Sequence, residues 1–328
     1  MLRTGLNPYG LTYHLGLQGR GTARENPAGT GLEGFIAIAT ELRAKTLEIF
    51  DPWLAAMSDG ELGELKDRLA GLSMTLVVSA GLNMLGPLES ALRSAKALGA
   101  TTIRLGLSPV LEGSRNAWGP KWGELNAQIR EGLGKYAPLA SDQGVTLAIE
   151  NHQDFTAQEL VDFCQEFGPA LGITFDTGNT FPVGEAPLDF TRRIAPLVRH
   201  VHLKDYRVQF TDEGYRLVRC AIGDGAVPFA GIVAILQQHH STLTAVLEPG
   251  ALEARQIRFL KPEWWQGYPP AAASAFAAAL AAARVNRLAD DADYQTPWER
   301  QADGELVDYE LDMIRRSADN MRALGLMD

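Results

Sequence analysis

The segment TLAIENHQDFTAQELVDFCQEFGPALGITFD, residues 146–176, carries two short apolar stretches, Thr146 to Glu150 and Gly172 to Asp176, around a run of helical spacing from Ala157 to Phe167. Stretches of that length suit buried parallel strands, and the longer run between them suits the crossover helix that parallel pairing requires. Each stretch ends on a carboxylate. The same rhythm continues in both directions, with candidate strands at Arg3 to Leu6, Thr46 to Phe50, Thr75 to Ser79, Thr102 to Leu107, Arg199 to Leu203 and Leu243 to Leu247. Helical patterns separate them at Leu32 to Ala44, Ser58 to Leu69, Leu88 to Leu98, Trp122 to Ser141 and Phe229 to His239, and a last one runs from Asp308 to Leu324.

Eight alternating units predict an α/β fold, a closed (β/α)₈ TIM barrel, with a doubly wound open sheet as the alternative. Loop lengths favour the barrel. Helix-to-strand turns are short, as at Gly99-Ala100 and Gln143-Gly144, whereas strand-to-helix connections are long at Ser108 to Lys121, Tyr206 to Val227 and Ala251 to about Thr296. Extra chain therefore gathers at the end where barrel enzymes carry their chemistry. Residues 1–328 read as a single TIM-barrel domain whose largest insertion, 251–295, lies between the eighth strand and the last helix.

The composition is that of an ordinary globular chain: 328 residues, 46% hydrophobic, 21% charged, with 40 acidic against 30 basic residues and a formal net charge of −10. No basic run offers a footprint for a phosphate backbone or an anionic membrane surface, so nucleic acid and membrane are poor partners. The most apolar stretch, Ala271 to Ala283, falls short of the roughly 20 residues that span a bilayer. Cys164 and Cys220 form neither a zinc spacing nor a disulfide framework, and no leader pattern opens the chain. A cytoplasmic setting is expected.

The informative residues sit where strands stop. Ile149-Glu150-Asn151-His152 closes the fifth, Phe175-Asp176-Thr177-Gly178-Asn179 the sixth, His200-Val201-His202-Leu203-Lys204-Asp205 the seventh and Leu247-Glu248-Pro249-Gly250 the eighth. Charged groups directly after apolar runs are costly when unpaired, so four on successive strands point to a shared counter-charge, most simply a divalent cation. Glu150, Asp176, His202 and Glu248 form a set of three carboxylates and one imidazole. Such a set suits Mn²⁺, Mg²⁺ or Co²⁺ with open positions better than a closed structural zinc site. An internal salt-bridge network is the bland alternative.

In the order and strand-end placement of these motifs, together with Gly223-Asp224-Gly225, the chain resembles the xylose-isomerase-like barrel superfamily over most of its length. That group holds sugar isomerases, ketose 3-epimerases, inosose dehydratases, C-glycoside deglycosidase catalytic subunits and apurinic endonucleases. The resemblance implies one divalent metal, Mn²⁺ first, held by Glu150, Asp176, His202 and Glu248. It implies that Glu150 and Glu248 also exchange protons with a ketose or keto-sugar through an enediolate. A sugar isomerase or epimerase is the first expectation, with a metal-dependent lyase on a keto-sugar next, either an inosose-type dehydratase or a C-glycoside deglycosidase. A barrel kept as a non-catalytic subunit comes after these. The deglycosidase reading implies a small partner subunit; otherwise a homo-oligomer is expected. Several positions depart from the ketose epimerases: Asn179 stands where those enzymes carry a histidine, and Arg207 is offset from their substrate-binding arginine. The first-strand loop and the long eighth loop raise the prospect of a larger glycoside-like substrate.

Other residues leave their roles open. His152, two positions after Glu150 and so on the same strand face, is an acid, base or substrate ligand, or a structural hydrogen-bonding residue. Lys204 polarises a carbonyl or protonates a leaving oxygen, or else it pairs with Asp205 or a neighbouring carboxylate. His14 floors the pocket or packs beside Tyr13. Asn179 and Arg207 are candidate substrate contacts. The aromatic stretch Lys261 to Pro270 caps a sugar or aglycone, docks a subunit, or packs on the barrel. Gly223-Asp224-Gly225 lacks a full phosphate-binding fingerprint and reads as a turn after a hairpin-like segment, Gln209 to Arg219.

Overall fold

The computed structural model describes residues 2–82, 88–250 and 252–328. Ala251, where the expected insertion begins, lies outside the described residues. The runs rich in β-branched and aliphatic residues form β1 (Leu2–Leu6), β2 (Thr46–Phe50), β3 (Thr75–Gly81), β4 (Thr102–Gly106), β5 (Thr146–Glu150), β6 (Leu171–Asp176) and β7 (Val198–Leu203). Two residues later the chain makes a hairpin, β8 (Tyr206–Thr211) and β9 (Gly214–Arg219), before β10 (Leu243–Leu247) and the short β11 (Arg255–Ile257). The barrel closes in the order β1-β10-β7-β6-β5-β4-β3-β2, while β11, β9 and β8 form a separate three-stranded sheet. Every barrel pairing is parallel, and those of β8, β9 and β11 are antiparallel.

The helices are α1 (Gly31–Glu41), α2 (Asp51–Ala55), α3 (Asp59–Gly71), α4 (Leu88–Leu98), α5 (Lys121–Asp142), α6 (Ala157–Phe167), α7 (Pro187–Ile194), α8 (Phe229–Leu236), α9 (Ala273–Ala283) and α10 (Leu306–Ala323). Local sequence fixes several starts. Ser58 with Glu61 and Thr156 with Glu159 form reciprocal capping boxes at α3 and α6, satisfying backbone N–H groups that a helix start leaves without partners. Both helices then bury apolar faces, Leu62, Leu65 and Leu69 on α3 and Leu160, Phe163 and Cys164 on α6.

Pleating decides which side chains enter the barrel. On β7, His200 and His202 face inward and Val201 and Leu203 join the apolar layer under the helices. Register carries this to the neighbours: His202 stands beside Asp176 on β6 and Val246 on β10, and Glu150 on β5 stands beside Thr174. At Gly5 a Cβ would lie 1.6 Å from the Thr46 carbonyl oxygen, so only glycine lets β1 approach β2 at that level. The connection from β10 to α10 contains β11 and α9, and the hairpin begins at Tyr206, three residues before the segment the sequence suggests. Lys204 and Asp205 alone separate it from the barrel strand.

Candidate metal centre and cavity

Glu150, Asp176, His202 and Glu248 each offer a ligand atom, and these atoms lie within 4.8 Å of one another. All four residues are buried, Glu248 being the most exposed at 5%. His202 Nδ1 lies 2.7 Å from Glu248 Oε2 and 3.3 Å from Glu150 Oε1. Its other nitrogen, Nε2, is 2.6 Å from Glu48 Oε2, and the same oxygen is 3.0 Å from His200 Nε2. His200 Nδ1 in turn meets Thr244 Oγ1 at 2.8 Å. Glu48 thus fixes the His202 ring so that Nδ1 faces the carboxylates, the orientation that a carboxylate behind a metal-binding imidazole imposes.

The remaining ligands are oriented as firmly. Asp176 accepts from the N–H groups of Gly178 and Asn179 and from Asn179 Nδ2 at 2.7 Å. Asn7 Nδ2 donates to Glu248 Oε2 at 2.7 Å and to Glu48 Oε1 at 3.2 Å. Lys204 Nζ bridges Asp176 at 2.5 Å and Glu248 at 2.7 Å, and Arg104 is ion-paired with Glu150.

Two observations fit this set to a divalent cation. His202 Nδ1 and both Glu150 oxygens are buried with no hydrogen-bond partner of good geometry, a costly condition unless something else is shared between them. Charge gives the same answer for the deprotonated state in which the residues could ligate: with the His202 ring neutral, Glu48, Glu150, Asp176 and Glu248 bring four negative charges and Arg104 and Lys204 two positive ones, so 2 − 4 leaves −2, an excess that raises the Asp176 and His202 pKa values. A dication closes that balance.

The pKa shifts follow from the same crowding. Burial raises Asp176, Lys204 opposes it, and Glu248 and Glu150 add to it, giving a carboxyl pushed up to about 7. For Glu248 burial is overcome by Lys204 and His202, which bring it down to about 2. Burial would raise Glu48, yet His202 and His200 together hold it below the carboxylate range. Burial lowers His152 to about 4 against the pull of Glu150, leaving a neutral imidazole at neutral pH.

Above the cluster opens a cavity of about 320 Å³ whose lining includes Tyr9, Arg104, His152, Lys204, Tyr206 and Glu248. Half-buried Gln18, Glu253 and Arg255 also line it. Of the two glutamates read as proton-transfer groups, Glu248 lines the cavity and Glu150 does not, being paired with Arg104, which does. Asn179 is fully buried and holds Asp176 instead of lining the cavity. Two candidate substrate residues stand elsewhere. Arg207 is exposed because it alternates with Tyr206 and Val208 on β8, so its side chain leaves the cavity face that Tyr206 occupies. His14 uses its backbone N–H on Glu310 and is absent from the cavity wall. Sequence reasoning missed Glu48, Arg104, Asn7 and Tyr9. A carboxylate inside TLEIF and a guanidinium inside TIRLG were the available signals, since a charge within a buried strand demands a partner.

The aromatic stretch packs. Trp264 is 1% exposed, stacks on Tyr268 and donates Nε1–H to the Glu112 carbonyl.

Residues 36–263 match the family described as Xylose isomerase-like TIM barrel. The chain belongs to that family. Among curated proteins it is 25% identical over 205 residues to the uncharacterised YihM of Escherichia coli K12, covering 61% of this chain and 60% of that protein. Inosose dehydratase 1 of Bacillus cereus is 32% identical over 89 residues, covering 26% of this chain and 30% of that enzyme. The family member thus spans 60% of YihM's length and a smaller share of the dehydratase. Its fold is like that of a D-psicose 3-epimerase solved in the presence of D-fructose, with a TM-score of 0.56 at 19% identity, covering 89% of this chain and 93% of that one. The IolI protein solved with a binding zinc atom gives 0.52 at 12% identity, over 87% and 96% of the two chains. These two likenesses bear on fold alone. No helix among the described residues is long and apolar enough to cross a membrane.

Proposed function

We propose that the chain is a divalent-metal-dependent enzyme that moves a proton on the carbon beside a carbonyl of a keto-sugar or ketose, with isomerisation or epimerisation as the outcome. The observation that carries this reading is the convergence of Glu150, Asp176, His202 and Glu248 beneath a cavity that Glu248, His152 and Lys204 line. Bound there, a divalent ion, with Mn²⁺, Mg²⁺ or Co²⁺ suited to an oxygen-rich set, would polarise the carbonyl and stabilise charge developing beside it.

The side chains would divide the remaining work. Glu248, ionised at neutral pH, takes the proton at a carboxylate oxygen on the cavity face. His152, neutral at the same pH, can accept or relay a proton across the cavity. Glu150, locked to Arg104, acts as a ligand more than as a shuttle. At about 320 Å³ the cavity sits at the small end of the range for ligand pockets, roughly 300–1,000 Å³, which favours a single sugar ring over a glycoside with a large aglycone.

Elimination of water is the second reading, favoured by Lys204. Its ammonium group reaches the cavity wall between Asp176 and Glu248 and could protonate a leaving hydroxyl. The inosose dehydratase relatives support it too. Incubating the Mn²⁺-supplemented protein with ketoses and inososes in deuterated water decides: label in a recovered isomer supports the first reading, loss of water the second. Stoichiometric metal with no exchange into any carbonyl sugar would leave a non-catalytic barrel and sink both.

A further inference from the structure

A second cleft, of about 880 Å³, lies on the other side of the β8-β9 hairpin and shares no lining residue with the catalytic cavity. Tyr206 faces the cavity, and Arg207, next along the same strand, faces the cleft. Four arginines line the cleft, Arg207 and Arg219 on the hairpin, Arg287 on the connection after α9 and Arg316 on α10. Two acids, Asp224 and Asp312, share the wall. Four positive minus two negative charges leaves +2 among the lining residues, in a chain whose formal charge is −10. Arg316 is paired with Asp224 at 2.7 Å and exposed Arg287 with Asp290 at 3.8 Å, which leaves Arg207 and Arg219 as the lining arginines without an ion pair among the described residues. A concave wall with a surplus of one sign focuses field on its own opening, here toward anions.

Arg219 points to a ligand. It is 4% exposed, and its guanidinium makes one hydrogen bond, from Nη2 to the Gly10 carbonyl at 2.8 Å. Its Nε and Nη1 are buried without partners. Neither Arg219 nor Arg207 makes an ion pair among the described residues, and Arg219's other contact is the Tyr309 ring, 5.3 Å from its carbon to the centroid. The nearby buried acid, Glu310, feels the charge of Arg219 but spends its hydrogen bonds on the N–H groups of Tyr13 and His14 and on Thr12, leaving Arg219 Nε and Nη1 without an acceptor. A buried guanidinium with two donors unused is expensive, and its planar fork suits a carboxylate or phosphate. The side chains of Tyr294 and Tyr309 add flat walls beside it.

We propose that this cleft is a second binding site for a small molecule bearing a phosphate or carboxylate group, with Arg219 at its floor and Arg207 and Arg287 at its exposed rim. The assignment is independent of the reaction run in the barrel.

Calorimetric titration of the metal-loaded full chain with inorganic phosphate, and separately with citrate at matched ionic strength, tests it. The expected result is saturable binding of one of the two in the millimolar range or tighter, with the arm that saturates telling phosphate from carboxylate. Both Arg219→Gln and the rim double variant Arg207→Gln/Arg287→Gln should weaken that binding at least about tenfold, a loss of ~1.4 kcal/mol. The rim positions are exposed, so the double variant keeps the test alive should Arg219→Gln fail to fold. Absence of saturation with either anion overturns the site. So does binding that survives the rim double variant, which would place the anion in the catalytic cavity instead.

Discussion

Two buried arginines, eleven residues apart in sequence, live in opposite conditions. Arg115 is 1% exposed, and its donors are spoken for: Nε on the Asp154 carbonyl at 2.7 Å, Nη1 on Gly267 at 2.8 Å and on Glu159 at 3.0 Å, and Nη2 on Glu159 at 2.6 Å. Tyr268 and Trp122 cover its faces at 4.1 and 4.8 Å. Arg104 is nearly as buried, at 6%, yet its Nε has no partner, and the glutamate paired with it lacks hydrogen bonds on both oxygens. A satisfied buried network is a structural joint, here tying the loops after β4, β5 and β10. An unsatisfied one is a place held open for something else.

The comparison can be broken or sharpened by substitution. Glu248→Gln should lower kcat by about 10³-fold, the usual range for removing a general base, and lower metal occupancy because Glu248 is also one of the clustered ligand carboxylates; an active variant would move proton transfer to another group. Arg115→Met should do the reverse, losing about 3 kcal/mol of stability as Glu159 and two carbonyls lose their donors, with metal content unchanged. Denaturant unfolding and metal analysis read the two effects side by side, and loss of metal from Arg115→Met would erase the distinction between the regions. Glu48→Gln should weaken metal affinity about 10- to 100-fold by loosening the His202 ring, measured by competition with a chelator.

The smallest effect concerns Asp154, which joins the two regions: its carbonyl holds Arg115, and its side chain accepts from Ser108 at 2.6 Å and from the His152 N–H at 3.1 Å, both residues lining the cavity with Arg104. Burial pushes its pKa up to about 7, from 3.8. The folded chain therefore keeps a proton there that the unfolded chain releases above about pH 4, so this contribution to stability is full below that pH and fades as pH rises through 7. Asp154→Asn should flatten the melting temperature between about pH 4 and 7. A profile parallel to that of the parent chain would mean that Asp154 stays ionised.

Much of this molecule could be read before folding. Period and turn spacing give the eight barrel strands to within a residue or two at each end, and the carboxylates and imidazole at four strand ends converge in the structure. Asn179 and Arg207 show where one-dimensional reading stops. Resemblance to the ketose epimerases suggested substrate contacts at both, but the first turned under Asp176 and the second followed the pleat of an unexpected early hairpin onto the far face.

The division has a physical cause. Alternation of apolar and polar residues is a local property, and so is the cost of a charge at the end of an apolar run; both can be read from the order of residues. Whether that charge is satisfied depends on groups from distant strands, Glu48 behind His202, Arg104 beside Glu150, and Gly10 beneath Arg219. Closure of the barrel brings those groups together, so the sequence by itself determined which residues needed partners, and the tertiary structure decided which received them.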